Sequence, residues 1–396
     1  MRGWKQAPLG ELVRLYGGGT PTRSNSKFYG GEIPWVTPKD MKSWELHDAQ
    51  VRITRAGLES SAARLVQRDS VLVVVRSGVL KHSLPVAVNR VPVAINQDMK
   101  ALVAEDEVEA DFLARYLQAQ ASMILQWVRA TTADNLPVEK LKDLLVPLPP
   151  LPEQQRITKI LDHADALRAK RRAALAELDA LTQAIFLEMF GDPVGNPKGW
   201  PMESLGAVAE VQGGLQVTTA RNSHPIRVPY LRVANVYRGK LDLAEIKCLR
   251  VTEAELLRTR LRKDDLLVVE GHGNPEEIGR AALWDGSVEE CVHQNHLIRA
   301  RLDSTKVLPL FASFHLNSPA GRRHLLRSGK TTSGLNTISV SDVRSVTVPT
   351  PPLSLQQTFA RKVEATGKLA AAHRHSLTHL DALFASLQHR AFRGEL

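Results

Sequence analysis

Glu245-Ile246-Lys247, with Asp242 just upstream, has the Glu-x-Lys spacing found in metal-dependent nucleases. Such a centre needs a further acidic residue delivered by a separate upstream strand to share the metal, and none presents itself, so the match reads as coincidence. Gly329-Lys330-Thr331 copies the end of a phosphate-binding loop, but the glycine required five positions earlier is replaced by His324. Gly17-Gly18-Gly19 lacks a following Lys-Ser/Thr and reads as a turn. His293 and His296 have HxxH spacing, yet on an extended segment that spacing sends the two rings to opposite faces, so they are expected as a surface pair and not as metal ligands. No Asn-Pro-Pro-aromatic run and no Phe-x-Gly-x-Gly loop marks an adenine methyltransferase. The expectation is a chain with no catalytic residues and no metal of its own.

What remains for such a chain is binding. Its 396 residues allow two domains with separate cores, and 43% hydrophobic content is that of a globular protein. The formal charge of +10, with a pI near 9.7, points to a polyanionic partner; it is scattered along the chain and not gathered in a basic tail. Cys248 and Cys291 lack CxxC spacing, which argues against a disulfide framework or zinc ribbon and suits a reducing cytoplasm. The opening MRGWKQAPLG has no apolar core of a signal peptide, and the longest aliphatic stretch, Val71 to Val75, suits a buried strand and is too short to cross a bilayer.

The chain states its plan twice. Trp4 and Leu9-Gly10 recur 196 positions later as Trp200 and Leu205-Gly206, and Ile33-Pro34-Trp35-Val36 is echoed by Val228-Pro229-Tyr230-Leu231. Val146-Pro147-Leu148-Pro149-Pro150-Leu151-Pro152-Glu153-Gln154-Gln155 returns at a shift of 202 as Val348-Pro349-Thr350-Pro351-Pro352-Leu353-Ser354-Leu355-Gln356-Gln357. Each copy starts with short β-branched runs, expected as strands: Val71 to Val75, Leu84 to Val88 and Val93 to Ile95, then Leu266 to Val269, Ile278 to Trp284 and Cys291 to Arg301. A helical stretch follows, Phe112 to Val128 or Leu308 to Arg327. The Pro-Pro hinge cannot lie inside a helix and gives a stiff lead-in to the next one.

That next element is long. Glu153 to Phe190 and Gln356 to Phe392 contain no proline and only Gly367, and at 1.5 Å per residue each would reach roughly 55 Å. Val363, Ala370, Leu377, Phe384 and Ala391 fall seven apart, as do Thr366, His373, Leu380 and Leu387. The first copy offers Leu161, Arg168, Leu175, Thr182 and Met189 with Ala164, Arg171, Leu178 and Ile185. Heptad spacing in one register predicts an antiparallel coiled coil, centred on Leu175/Leu178 and Leu377/Leu380. Arg168, Arg171 and His373 interrupt the seam, and the arginines should face its Phe384/Leu387 end. Cysteines at Leu175 and Leu377 are expected to crosslink within one chain.

The doubled hinge with Gln154-Gln155 and Gln356-Gln357, the long helices, and the closing Arg390-Ala391-Phe392-Arg393-Gly394-Glu395-Leu396 together resemble type I restriction-modification specificity subunits. The likeness spans essentially the whole chain. Trp4, Leu9-Gly10 and Asn96-Gln97-Asp98 share it within the first copy, while the second departs from it with His293-Gln294-Asn295 and with Ser354-Leu355 at the hinge. The resemblance implies an α+β fold with a pseudo-two-fold internal repeat: target-recognition domains at 1–150 and 192–352, and conserved spacer helices at 151–191 and 353–396. It also implies assembly with two methyltransferase subunits through the helices, and with restriction (motor-nuclease) subunits. S-adenosylmethionine, ATP and Mg²⁺ would be bound by those partners. The chain itself would be non-catalytic, cytoplasmic in a bacterium, and without membrane contact.

Two similar but unequal readers on double-stranded DNA should select an asymmetric, bipartite site, with the helix pair as ruler for the unread bases. Polar side chains beside turns and strand ends are the expected contacts. In the first reader these are Arg23, Lys39, Asp40, Arg76, Ser77, Lys81, His82 and Gln97. In the second they are Gln216, Arg232, Asn235, Tyr237, Arg238, His272, Asn274 and Lys330. Rival readings are the specificity partner of a type II bipartite methylase-nuclease, a coiled-coil scaffold binding only proteins, and a cryptic nuclease built on Glu245/Lys247.

Overall fold

A computed structural model describes residues 3–129, 134–332 and 335–396, with the side chains of 330–332 and 335 outside the description. It divides into two compact units, Met1–Ala173 with Arg374–Leu396, and Ala174–His373. The division cuts each long helix near its middle, so each unit holds half of both. No described helix is long and apolar enough to cross a membrane.

The first unit is built on two sheets. Val13–Gly17, Met99–Ala104, Ser70–Val74, Val86–Asn89 and Glu45–Leu46 form one, in that spatial order; Arg52–Ile53, Tyr29–Val36, Val93–Ile95 and Leu65–Val66 form the other. Val71 to Val75 is buried throughout, as an unbroken aliphatic run between two covered faces must be. In the second unit the equivalent sheets are Ala209–Gly213, Leu297–Leu302, Leu266–Val269 and Ala281–Leu283, and Lys247–Val251, Ile226–Leu231 and Val292–His293. The repeat extends to register. Trp35 and Val36 pair in parallel with Ala94 and Ile95, as Tyr230 and Leu231 do with Val292 and His293.

Several element ends differ from the sequence expectation. The helical stretch of the first copy divides into Ala110–Ala119 and Ala121–Leu125. In the second copy it divides into Pro309–Asn317 and Pro319–Ser328. Pro319 causes the second break: it forces Ser318 to ψ 165°, outside the helical range. The long helices run Leu151–Phe190 and Leu353–Ala391, and Pro152 is accommodated in the first turn, where no N–H is needed.

The duplicated hinge has a duplicated reason. Lys5–Pro8 pairs antiparallel with Leu145–Leu148, and Met202–Ser204 with Thr347–Pro349. The first glutamine of each Gln-Gln is then completely buried. Gln154 Oε1 accepts from the Glu109 N–H at 2.8 Å, and its Nε2 donates to the carbonyls of Glu107 and Pro149, both at 2.9 Å. Gln356 repeats this with the Leu308 N–H at 2.8 Å and the carbonyls of Lys306 at 3.1 Å and Pro351 at 2.8 Å. Glu109 and Leu308 are N-caps that supply no side-chain bond of their own, so each glutamine caps a neighbouring helix while clamping the hinge. Gln356→Leu keeps the volume but leaves three backbone groups, the Leu308 N–H and the carbonyls of Lys306 and Pro351, without their partner. A loss of about 2–4 kcal/mol in chemical unfolding of the second unit is expected.

Within each unit the two helix halves run antiparallel. In the first, Arg156 donates to the Leu396 carbonyl at 3.0 Å, whereas Arg168 and Arg172, further along, reach Asp381 at 2.6 and 3.0 Å. Arg168 also lies over the Phe384 ring at 4.2 Å, at the end of the seam expected for it. Leu161 and Phe384 are buried, and Leu175, Leu178, Ile185, Val363, Leu377, Leu380 and Leu387 are half-buried. In the second unit Thr182 and Thr366 approach to 3.5 Å through their hydroxyls. A Thr182→Cys/Thr366→Cys variant should close an intrachain disulfide under mild oxidation, seen as a gel-mobility shift reversed by reductant. A failure to crosslink, or crosslinking only between chains, would contradict the register.

The units anchor these helices differently. In the first, Arg115 is 2% exposed and stacks 3.9 Å from Trp44; it bridges Asp162 at 2.7 Å and Asp165 at 3.0 Å, and Asp165 in turn holds Arg168 at 2.8 Å. Phe392 of the closing segment packs edge-on against Phe112 and Tyr116. The second unit uses a phenylalanine cluster instead, Phe186, Phe190, Phe311, Phe314 and Phe359, with ring centroids 4.7 to 5.9 Å apart.

Candidate nucleic-acid interface

In the first unit, loops from both sheets converge on a cleft of about 480 Å³. Its floor is Trp35, 4% exposed, whose indole N–H donates to the Gly19 carbonyl at 3.0 Å and fixes the glycine turn. Gly18 must be glycine: a Cβ there would stand 2.1 Å from the carbonyl oxygens of Ile95 and Asn96. Gly214 meets His293 and Gln294 in the same way, at 2.3 Å.

Six of the eight residues expected in the first reader line this cleft: Arg23, Lys39, Asp40, Arg76, Ser77 and Gln97. Arg23, Lys39, Arg76 and Gln97 are exposed; Arg76 holds Asp98 at 2.6 Å, and Gln97 accepts from the Thr20 hydroxyl. Asp40 has a structural task, because Oδ2 accepts from the Thr37 N–H and hydroxyl, both at 2.8 Å, and Oδ1 from the Gln50 N–H at 2.9 Å. Lys81 and His82 are exposed but do not line the cleft. Sequence reasoning missed Thr20, Thr37, Gln50, Asn96 and Asp98; the Asn96-Gln97-Asp98 triplet was itself the available signal for two of them. Cationic tips around uncharged amides and hydroxyls can neutralise phosphates and hydrogen-bond base edges.

The same backbone frame recurs in the second unit. Asn96 N–H donates to the Val36 carbonyl and Gln294 N–H to that of Leu231; Val75 N–H donates to Asp98 and Glu270 N–H to His296. Asn295 therefore stands where Gln97 does, and it too was missed, although the repeat maps one onto the other. Gln216, exposed, and Arg232 and His272, half-buried, occupy loops of this frame. Arg232 is drawn to Glu245 at 2.6 Å, and His272 Nδ1 accepts from the Asn274 N–H at 3.0 Å. Asn274 is exposed and caps Pro275–Glu277.

Asn235 is a correction. It is 3% exposed, its Oδ1 accepts from the Arg232 N–H, and its Nδ2 donates to the carbonyls of Asp242 and Glu245. It is the counterpart of Asp40, a turn clamp turned inward. Tyr237 and Arg238 lie apart on a hairpin: Tyr237 is exposed beneath Arg280, 5.0 Å away, and Arg238 donates to the Glu276 carbonyl. Burial, then Arg322, holds the Arg238 guanidinium below its ordinary pKa. Lys330 opens the strand Lys330–Thr332, and its side chain lies outside the described residues.

His293 is a second correction. Far from a surface pair with His296, it is fully buried, with Nδ1 3.2 Å from the Thr259 carbonyl, because parallel pairing carries it into the core. Burial, then Arg299, pushes its pKa down to about 4. Glu245 is held by Arg232 and lies 3.8 Å from Lys247. Among the described residues no group of three or more His, Cys, Asp or Glu side chains could hold a metal ion.

Residues 1–177 match the family model described as the type I restriction modification DNA specificity domain. The chain is 35% identical over 167 residues to the type I restriction enzyme EcoR124I/EcoR124II specificity subunit of Escherichia coli; that match covers 41% of each chain. It is 22% identical over its whole length to the StySPI specificity subunit of Salmonella potsdam, covering 89% of that protein. The chain thus spans about two fifths of the first of these relatives and most of the second. Its fold is similar to the crystal structure of a type I restriction-modification S subunit from M. genitalium, with TM-score 0.56 and 14% identity over 98% of this chain and 96% of that one.

Proposed function

We propose that this chain belongs to the type I restriction-modification specificity family, and that it is the non-catalytic, DNA-reading subunit of such a complex. The observation that carries the reading is the cleft that gathers Arg23, Lys39, Arg76 and Gln97 above Trp35, on a backbone frame the second unit repeats. Lysine and arginine engage phosphates, and amides read base edges. Because the side chains carried on the two frames differ, the two halves of the target differ, and the target is asymmetric and bipartite. Contacts assigned on this reading are Arg23, Lys39, Arg76, Ser77 and Gln97 in the first unit, with Gln216, Arg232, His272, Asn274 and Asn295 in the second.

The long helices take two methyltransferase subunits, and restriction subunits join for cleavage. S-adenosylmethionine, ATP and Mg²⁺ belong to those partners, and the complex works in the bacterial cytoplasm. The test is binding of the full chain to random-sequence duplexes across a salt series. DNA reading predicts a log-log slope of about −0.9 per phosphate neutralised, with no Mg²⁺-dependent cutting by the chain alone. Salt-independent or absent binding would favour a protein-binding scaffold, and cutting by the chain alone would favour the nuclease at Glu245/Lys247.

A further inference from the structure

The second long helix carries a feature that DNA reading does not use. His375 and His379 are four residues apart, both exposed, and their Nε2 atoms stand 3.0 Å from each other. The rings meet edge to face at 4.4 Å and 78°. They lie off the seam formed by Leu377, Leu380 and Phe384, so a ligand there would not disturb the helix pair. The first copy has Ala173 and Glu177 at the equivalent positions; the pair is therefore not a requirement of the repeated architecture.

We propose that His375 and His379 chelate a late divalent transition ion, Ni²⁺ or Cu²⁺, with water completing its shell. Residues at i and i+4 project side by side from one helix face, so two imidazoles are already converged without folding cost. The 3.0 Å contact is a hydrogen bond between the two ring nitrogens, so both already reach one point; moving the shared proton to Nδ1 frees both lone pairs for an ion. Two imidazole donors with water hold Cu²⁺ and Ni²⁺ more tightly than the earlier divalent ions of the first transition row. Two protein ligands leave the site open and exchangeable, a staple on one turn of helix and not a structural centre.

The test is titration of the tag-free full chain with NiCl₂ or CuCl₂ by calorimetry, with Cu²⁺ electron paramagnetic resonance to count nitrogen ligands. The expected result is one ion per chain, a two-nitrogen spectrum, and weakening by acid, because the ligating nitrogen must be deprotonated. His375→Ala and His379→Ala should each abolish this site. Both positions are exposed on a helix where alanine is the better helix former, so folding is retained. His389→Ala should leave the site intact. Absence of a one-to-one site, or binding that survives both the His375 and His379 variants, would overturn the proposal.

Discussion

Between about pH 6.5 and pH 4 the second unit is expected to unfold while the first stays folded. His293 and His315 are both buried inside the second unit, and burial holds each pKa at about 4, against 6.5 in the ordinary state. Through these two histidines the unfolded chain binds up to two more protons than the folded one in this window. Glu270 offsets this in part, because burial raises its carboxyl pKa and favours protonation of the folded state. Stability therefore falls as pH falls. At 1.36 kcal/mol per unit, each histidine withdraws up to about 3 kcal/mol by pH 4, a large part of a domain's total. The first unit has solved the same two positions without a group that titrates in this window. Tyr116 donates to the Leu145 carbonyl at 2.6 Å where His315 Nε2 reaches the Thr347 carbonyl at 2.9 Å, and Ile95 fills the place of His293. Its own histidines, His47, His82, His163, His375, His379 and His389, are all exposed. Hydrogen exchange read by mass spectrometry along a pH series separates the units. Protection should be lost first across 205–350, and His293→Ile with His315→Tyr, borrowed from the first unit, should remove most of the difference. Loss of both units together would refute the assignment.

The hinge and the helices were the most legible parts of the sequence. Heptad spacing placed eighteen seam positions, and none of them is exposed. The Gln-Gln motif identified the hinge but not its mechanism, because a buried amide clamping three backbone groups leaves no periodic trace. The first cleft was legible because polar residues beside Gly, Pro and strand ends are where loops converge. The corresponding loops of the second unit were less so, since side chains there differ between copies while only the backbone frame repeats. Asn235 looked like a reader by its polarity, yet its counterpart Asp40 shows the place to be a turn clamp. His293 was misplaced by face alternation, which assumes one solvated face; a short strand paired within a covered sheet has none.

Exchanging residues 1–150 for those of a relative with another target should change one half of the recognised sequence and leave the other intact. The exchange carries both strands of the Lys5–Pro8/Leu145–Leu148 pair, so no hydrogen-bonded ladder is split. Gln154 stays behind, but its partners are the backbone groups of Glu107, Glu109 and Pro149, which any incoming sequence supplies. The vulnerable contacts are the side chains that cross the junction, Phe112 and Tyr116 on Phe392 and above all Arg115 with its bridges to Asp162 and Asp165. A donor without an arginine there loses the charge-assisted bonds to Asp162 and Asp165 and the stacking on Trp44, and about 1–3 kcal/mol of first-unit stability would be lost. With the arginine kept, each base pair newly mismatched against the old site costs about 1–3 kcal/mol. Two such changes weaken binding to the old target about thirtyfold or more. Methylation mapping in a host carrying the chimera with its methyltransferase gives the outcome.

Selection of bound duplexes from a random library, with the full chain and with a Lys39→Ala/Gln97→Ala variant, tests the two-reader account most directly. The native chain should yield two blocks of preferred bases separated by unread positions, and the variant should blur one block while leaving the other sharp. A single continuous block, or equal blurring of both, would contradict it.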